Sequence, residues 1–511
     1  MRKNNGILFA VLSGILWAAS FPPLITGFFA YFILVFLWHA LNQSRTIWSA
    51  IYIGYVWGFI AAIGSFWWIA KPTLGGFVAL VLFLPLFSVL YCWSYYIISR
   101  KSISLAIIVS PILIVGVEYF RSYGRLGFPW INFAYTQTSY PIMIQFADIF
   151  GNFGVSFWIV AINCCVFFMI RKPFSRKSAF SLALILLLFG GALIYGAKKM
   201  REPIKGTPVD IAIIQSNIDP YKKWSIEFRD INGSIHANMI KSIGKGKVDL
   251  IIAPETATAC YHRISPQYFQ PIRIATVKVK TPLLIGTLDF DERNRKRYYN
   301  SAILIEPNGS YDQHYNKIQL VPFAEQVPFQ EKSEFLRSLN FGGSHFYAGK
   351  GYTIFKINKK NRDKKDSERK KEINFSTLIC YESAFSWLNR KFRNKGAQFF
   401  VNITNDGWYG RSSGPYQHAW FNIMRAIENR VWIVRCANTG ISMIIDPFGR
   451  IISKTSLFER TILTGTITVN DFRTFYDKIG DIIGLISLGV SVPIVLWAAI
   501  FRKPQFPDHM L

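Results

Sequence analysis

The chain has 511 residues, 51% of them apolar and 16% aromatic, with a formal net charge of +28. It is too long for one ordinary domain and too apolar for a soluble protein of its size. So basic a balance first points to nucleic acid, but no nucleic-acid motif is present. Much of the excess sits beside apolar runs, where anionic lipid is the fitting partner.

In chain order, near-uncharged apolar runs predict membrane spans at about 5–20, 24–41, 48–70, 74–97, 103–120, 153–170 and 179–197, with an eighth at about 480–501. Several approach the roughly 20 residues that a helix needs to cross a bilayer. Only Phe21-Pro22-Pro23 separates the first two. No small-residue cleavage site follows the first, so it does not read as a signal peptide. Arg2, Lys3, Arg45, Arg100, Lys101, Arg171, Lys172, Arg176, Lys177, Arg502 and Lys503 fall on one side of this arrangement, whereas the opposite short loops carry only Lys71, Arg121 and Arg125. That asymmetry predicts both termini in the cytoplasm and the part after Lys198 outside. The loop RLGFPWINFAYTQ, with Gln145, Gly151 and Gly154 after it, reads as an aromatic anchor at the outer interface, and Glu118 as interfacial. The spans hold almost no other ionisable residues, which argues against transport.

From Val209 the pattern changes to short β runs alternating with helical stretches, the sign of a layered α/β domain. VDIAIIQSNI, VDLIIAPET, PLLIGTLDF, YNSAILIEP, FSTLICYES, AQFFVNITND, VWIVRCAN and ISMIIDPFG read as strands, and Gln417–Arg430 as a helix. The chain thus divides into a membrane domain over 1–200, a catalytic domain over 201–476, and a C-terminal helix and tail over 477–511. The basic run Lys359–Glu372 reads as a solvated loop, with a lipid-docking patch as the alternative.

Of six cysteines, Cys92, Cys164 and Cys165 lie inside spans; Cys260, Cys380 and Cys436 remain. No CxxC spacing suggests zinc and no disulfide framework is visible. Cys380 ends the apolar run of FSTLICYES and meets polar residues at once. It is placed as a nucleophile or, read alone, as a buried structural thiol. Glu255 ends LIIAPE, and Lys317 sits in HYNKIQLVPFAEQVP. A thiol needs a base to take its proton, which a carboxylate can do. An ammonium can then stabilise the oxyanion of an acyl-transfer intermediate. Such a set works without metal or cofactor.

The series PE, YNK, LVPFAE, CYES, NDGWYG, RAIENR and NTGIS resembles the nitrilase (carbon–nitrogen hydrolase) superfamily, whose Glu, Lys and Cys come in that order. With GFPWINFAYTQ, GPYQH and the flanking spans, nearly the whole chain is similar to the membrane branch that acylates lipoproteins. The resemblance implies a polytopic helical membrane domain joined to an α-β-β-α sandwich. It implies Glu255 as base, Lys317 as oxyanion partner and Cys380 as the carrier of an acyl thioester in a ping-pong reaction. Glu325 matches the second glutamate of the site, Tyr381 and Glu382 the residues after the nucleophile, and Trp224 an aromatic on a loop that admits lipid. The implied partners are a phospholipid donor, typically phosphatidylethanolamine, a diacylated apolipoprotein acceptor and the bilayer, with no nucleic acid. The implied setting is a monomer in the bacterial inner membrane, catalytic domain on the periplasmic face. Two departures are Ala324, where the family has glycine, and the apparent insertion at Lys359–Glu372. Other readings are a membrane-tethered amidase, for which seven leading spans have no use, and a catalytically silent lipoprotein-binding protein.

Overall fold

The computed structural model of the chain describes residues 5–295, 297–328, 334, 345–359 and 371–501. Residues 360–370 of the basic run, and Arg2, Lys3, Arg502 and Lys503, lie outside the described residues. Backbone contacts separate two units: Met1–Ala70, Leu74–Met200 and Ile479–Leu511 in one, Lys71–Thr73 and Arg201–Lys478 in the other.

In the first unit, five helical stretches among the described residues are long and apolar enough to cross a membrane: Ile47–Ala70, Leu74–Ser99, Ala147–Arg171, Arg176–Lys199 and Ile482–Ile500. Three of the eight expected spans are shorter or broken. Gly6–Ala19 has 14 residues and Ile33–Asn42 has 10, with the Pro22-Pro23 break between them. The fifth divides into Ile103–Ile108 and Ser110–Ser122. Pro111, which has no N–H to give the helical ladder, stands at that break.

The loop after Ser122 also departs from expectation. Residues 129–138 are all buried, not a surface anchor, and Glu118 is 3% exposed, not interfacial. The reason is backbone satisfaction: irregular chain buried among helices must find partners for its N–H groups. Glu118 accepts from the Phe133 N–H at 2.6 Å, and Ser156 Oγ accepts from Ala134 N–H at 3.0 Å. Arg121 donates to Asn132 Oδ1 at 2.7 Å, and Tyr31 to Gln137 Oε1 at 2.7 Å.

Among its described residues the second unit holds twelve strands: β1 (Thr207–Gln215), β2 (Leu250–Ile252), β3 (Leu283–Phe290), β4 (Tyr298–Ile305), β5 (Gln313–Asn316), β6 (Phe355–Lys359), β7 (Lys371–Ile379), β8 (Phe399–Thr404), β9 (Trp432–Ala437), β10 (Met443–Ile445), β11 (Ile451–Lys454) and β12 (Thr461–Val469). They form two six-stranded sheets, ordered β12-β1-β2-β3-β4-β5 and β11-β10-β9-β8-β7-β6. In each, three adjacent strands are parallel, β1 to β3 and β7 to β9, and antiparallel strands flank them. Helices Ile226–Ile243 and Pro266–Val279 link the first trio; Ser386–Asn394 and Gly414–Asn429 link the second.

The sheets stack face to face: the Cys436 thiol on β9 donates to Ile214 O on β1 at 3.3 Å. The outer face of the first sheet packs Ala212, Ile214 and Ile251 against Ile240, Phe269 and Ile272 of its two helices. Strands buried on both faces read as continuous apolar runs, which is why β1, β3, β8 and β9 are so legible. The result is the expected α-β-β-α sandwich.

Candidate active site

Each expected catalytic residue lies just past a strand end. β7 runs between antiparallel β6 and parallel β8, and Leu378 and Ile379 are wholly buried. At Cys380 the backbone swings to φ +56 and enters a single turn, Cys380–Ala384. A left-handed residue with a side chain costs about 1–2 kcal/mol, so its surroundings must hold it there.

Glu382 supplies part of that hold. One carboxylate oxygen accepts from the Ile379 N–H at 2.8 Å. The other accepts from Tyr315 OH at 2.7 Å, Ile318 N–H at 2.7 Å and Gln319 N–H at 3.0 Å. One side chain therefore clamps the Cys380 turn to the segment carrying Lys317. Burial pushes the Glu382 carboxyl up to about 7, against the pull of these hydrogen bonds and of Lys317.

Strand register supplies the rest. Leu378, Asn402 and Arg435 are neighbours across β7, β8 and β9. Asn402 Nδ2 donates to Leu378 O at 3.1 Å and to Cys380 O at 3.3 Å. Arg435 donates to Asn402 Oδ1 and, at 2.6 Å, to Asp406 Oδ2. His418 Nδ1 lies 2.8 Å from the other Asp406 oxygen. Burial alone would raise the Asp406 carboxyl, but Arg435 and His418 hold it down to about 2.

Lys317 follows β5 and is 1% exposed. Its ammonium lies 2.8 Å from Glu325 and 3.7 Å from Glu255. Burial opposes the charge, yet Glu325 and Glu255 together outweigh it and hold the ammonium above its ordinary range. Glu325 is itself fixed by the Val321 N–H at 2.9 Å. The departure at Ala324 costs nothing in the backbone, because the left-handed residue of that turn is Phe323, at φ +62.

Glu255 lies three residues past β2 and is 7% exposed. Its carboxylate accepts from Asn300 Nδ2 at 2.8 Å, and the same amide reaches Glu325 at 3.2 Å. Gly286 on β3 makes this approach possible: a Cβ there would sit 2.6 Å from both Glu255 Cα and Thr256 N.

These groups converge on the Cys380 thiol. Burial raises its pKa above the ordinary value; Glu255 and Asp406 raise it further, while Lys317 and a hydrogen bond with Thr404 oppose them. The resting group is a thiol, not a thiolate, so attack requires a base. Tyr381 is buried edge-on to Phe385, ring centroids 4.9 Å apart. Trp224 is half-buried, with the Lys223 ammonium 5.2 Å from its ring. Cys260 and Cys436 are buried free thiols.

Asn300, Asn402 and Arg435 are not among the residues expected from sequence. They share one signal: a polar residue inside an otherwise apolar strand, where asparagine in particular is disfavoured. Lys223 gives no such signal beyond its place before Trp224.

Two stacked six-stranded sheets with helices against them, in a stretch that matches the carbon-nitrogen hydrolase family, define the class, here joined to a membrane unit. Residues 210–476 match the family model described as carbon-nitrogen hydrolase, and residues 13–165 the apolipoprotein N-acyltransferase N-terminal domain. The chain is 34% identical over 492 residues to the apolipoprotein N-acyltransferase of Geobacter metallireducens, covering 93% of this chain and 92% of that one. It is 29% identical to that of Chlorobaculum tepidum, covering 96% of each. With that of Haemophilus influenzae it shares 28% identity, covering 94% of this chain and 92% of the relative. The chain belongs to the apolipoprotein N-acyltransferase family.

Proposed function

We propose that this protein moves an acyl chain from a membrane phospholipid, typically the sn-1 chain of phosphatidylethanolamine, to the α-amino group of a lipoprotein's N-terminal diacylglyceryl-cysteine. The family supports an acyltransferase acting on lipoproteins. The observation that carries the site is a buried cysteine sharing one cluster with a carboxylate and a buried lysine 3.7 Å from that carboxylate.

In the first half-reaction Cys380 Sγ attacks the ester carbonyl while Glu255 takes the thiol proton. Lys317 stabilises the oxyanion of the tetrahedral intermediate. Collapse releases the lysophospholipid, whose oxygen takes the proton back from Glu255, and leaves an acyl thioester. In the second half-reaction the α-amine attacks that thioester and gives a proton to Glu255. The Cys380 thiolate leaves and is reprotonated, and the product is a triacylated lipoprotein. Glu325 fixes Lys317, Glu382 fixes both the nucleophile turn and the lysine segment, Tyr381 packs behind the nucleophile against Phe385, and Trp224 lines the lipid's approach.

The five long apolar helices make this a membrane protein. Its proposed place is the inner membrane with the catalytic unit on the periplasmic side, supported by the Lys and Arg asymmetry of the short connections.

The test uses full-length protein in detergent with labelled phosphatidylethanolamine and no acceptor. A hydroxylamine-sensitive acyl adduct, absent from Cys380→Ala, is expected. Folded protein that forms no adduct with any phospholipid would overturn the reading in favour of an amidase or a binding protein.

A further inference from the structure

One buried charge beside the site has no part in that mechanism. Lys223 is 2% exposed. Its ammonium donates to Thr256 O at 3.1 Å and to Thr256 Oγ1 at 2.5 Å. Among the described residues no carboxylate lies within ion-pair distance of it. Burying an ammonium without a paired carboxylate is costly, and burial draws Lys223 down to about 8, with Glu255 pulling the other way. Such a group beside a reactive cluster is a functional candidate.

Its partner is the informative part. Thr256 follows Glu255 directly and stands at φ +46, a conformation that a β-branched residue rarely adopts. Both hydrogen bonds from Lys223 go to this residue. The segment bearing Lys223 is anchored elsewhere too. Ile218 N–H donates to Asn438 Oδ1 at 3.0 Å, Asn438 Nδ2 returns a bond to Ile218 O at 2.6 Å, and Tyr221 lies edge-on to Trp408 at 4.9 Å. The lysine is therefore delivered to the Glu255 turn by a segment fixed to the end of β9, on the opposite sheet.

We propose that Lys223 is a positioning residue for the general base, pinning the left-handed turn at Thr256 and giving the Glu255 carboxylate a second positive charge beside Lys317. This rests on Glu255 being the base. The other groups that act on Glu255 are Lys317, Cys380, Tyr409 and, through Asn300, Glu325. His236 is the further titratable group beside Lys223. Substituting Lys223 also relieves His236, whose imidazole it helps to hold down, so Lys223→Arg, which keeps that charge, is the control for both groups.

The experiment is single-turnover formation of the acyl adduct by the full-length protein across pH, for wild type, Lys223→Met, Lys223→Arg and Glu255→Gln. Removing a nearby cation raises a carboxylate's pKa, and a base works only when deprotonated. Lys223→Met should therefore move the acid limb of the rate profile upward by about one pH unit. Its limiting rate should fall about tenfold to a hundredfold with half-saturation by donor little changed. Lys223→Arg, which keeps the charge, should hold the acid limb near its wild-type position. Unchanged rate and profile in Lys223→Met would overturn the proposal. So would equal losses in both variants with the acid limb in place, which would make Lys223 a filler of the turn only. Glu255→Gln separates the two readings: retained acylation removes the base and Lys223's role with it, whereas a silent Glu255→Gln beside a normal Lys223→Met removes Lys223 alone.

Discussion

The two sheets of the catalytic unit have the same plan, three parallel strands joined by two helices, and put it to different uses. The first sheet carries reactive charge: Glu255 after β2, Lys317 after β5, and Asn300 on β4 bridging Glu255 to Glu325. The second carries Cys380, the proposed nucleophile, and, beneath it, a linked set of buried polar groups, Asn402, Asp406, His418 and Arg435. In the proposed mechanism the first half supplies a proton acceptor and a positive charge to a thiol that the second half holds still. A buried thiol flanked by Glu255 and Asp406 will not ionise unaided, so neither sheet is competent alone.

The sharpest way to break this division is at the atoms that react. Cys380→Ala should abolish the acyl adduct altogether while leaving the thermal unfolding midpoint near wild type, since only one sulfur is removed. Glu255→Gln should lower adduct formation by about 10²–10⁴-fold, the usual worth of a positioned base. Near-normal rates would mean that another group takes the proton. Lys317→Met should cost about 10²–10³-fold in rate, and it also leaves the half-buried Glu325 carboxylate without its cation, which lowers stability as well. The double variant Lys317→Met, Glu325→Gln distinguishes the two effects: stability should partly return and the rate should not.

On the second sheet the expectation reverses, with stability falling more than chemistry. Arg435→Met strands the Asp406 carboxylate in the interior, which should cost about 3–5 kcal/mol and lower the unfolding midpoint by several degrees. Adduct formation per folded molecule should drop only about tenfold, equivalent to ~1.4 kcal/mol, comparable to the left-handed strain at Cys380 that Asn402 and Arg435 help to offset. A loss as deep as that of Glu255→Gln, with the midpoint unmoved, would place Arg435 among the reacting groups.

The same two sheets show what a sequence makes visible. All eight strands read from apolar runs are present, and the four not read, β5, β6, β11 and β12, are the edges of the two sheets. An edge strand is paired on one side only. QHYN, FKINK, IISK and TILTGTITV mix half-buried and exposed positions with few buried ones, so none forms the continuous apolar run that marks a strand covered on both faces. Cys380 and Glu255, the proposed nucleophile and base, were legible because each ends such a run inside a family motif, and Lys317, the proposed oxyanion partner, through its motif alone. Asn300, Asn402 and Lys223 were not, since their meaning lies in partners 45, 22 and 33 positions away. Distance hid the membrane unit's polar loop as well: Glu118 looks interfacial until Phe133 is folded against it.

The effect that best separates clamp from scaffold is the dependence of stability on pH. Asp406 is held down to about 2, so its contribution is complete above the ordinary carboxylate range and is lost only as pH falls through about 4 toward 2. Glu382, the clamp between the nucleophile turn and the lysine segment, behaves oppositely. Its carboxyl is raised from 4.5 to about 7. The folded state therefore binds its proton more tightly than the unfolded chain does, and that contribution is present below about 4.5 and fades as pH rises through about 7. The full span is about 3 kcal/mol at 1.36 kcal/mol per unit. Unfolding midpoints measured from pH 4.5 to 7.5 should show wild type losing ground to Glu382→Gln as pH rises, while the gap between wild type and Asp406→Asn stays level. A gap to Glu382→Gln that widens in favour of wild type as pH rises would mean that the four hydrogen bonds to the carboxylate outweigh its burial. Glu382 would then stabilise the nucleophile turn as an anion, in the manner of Asp406.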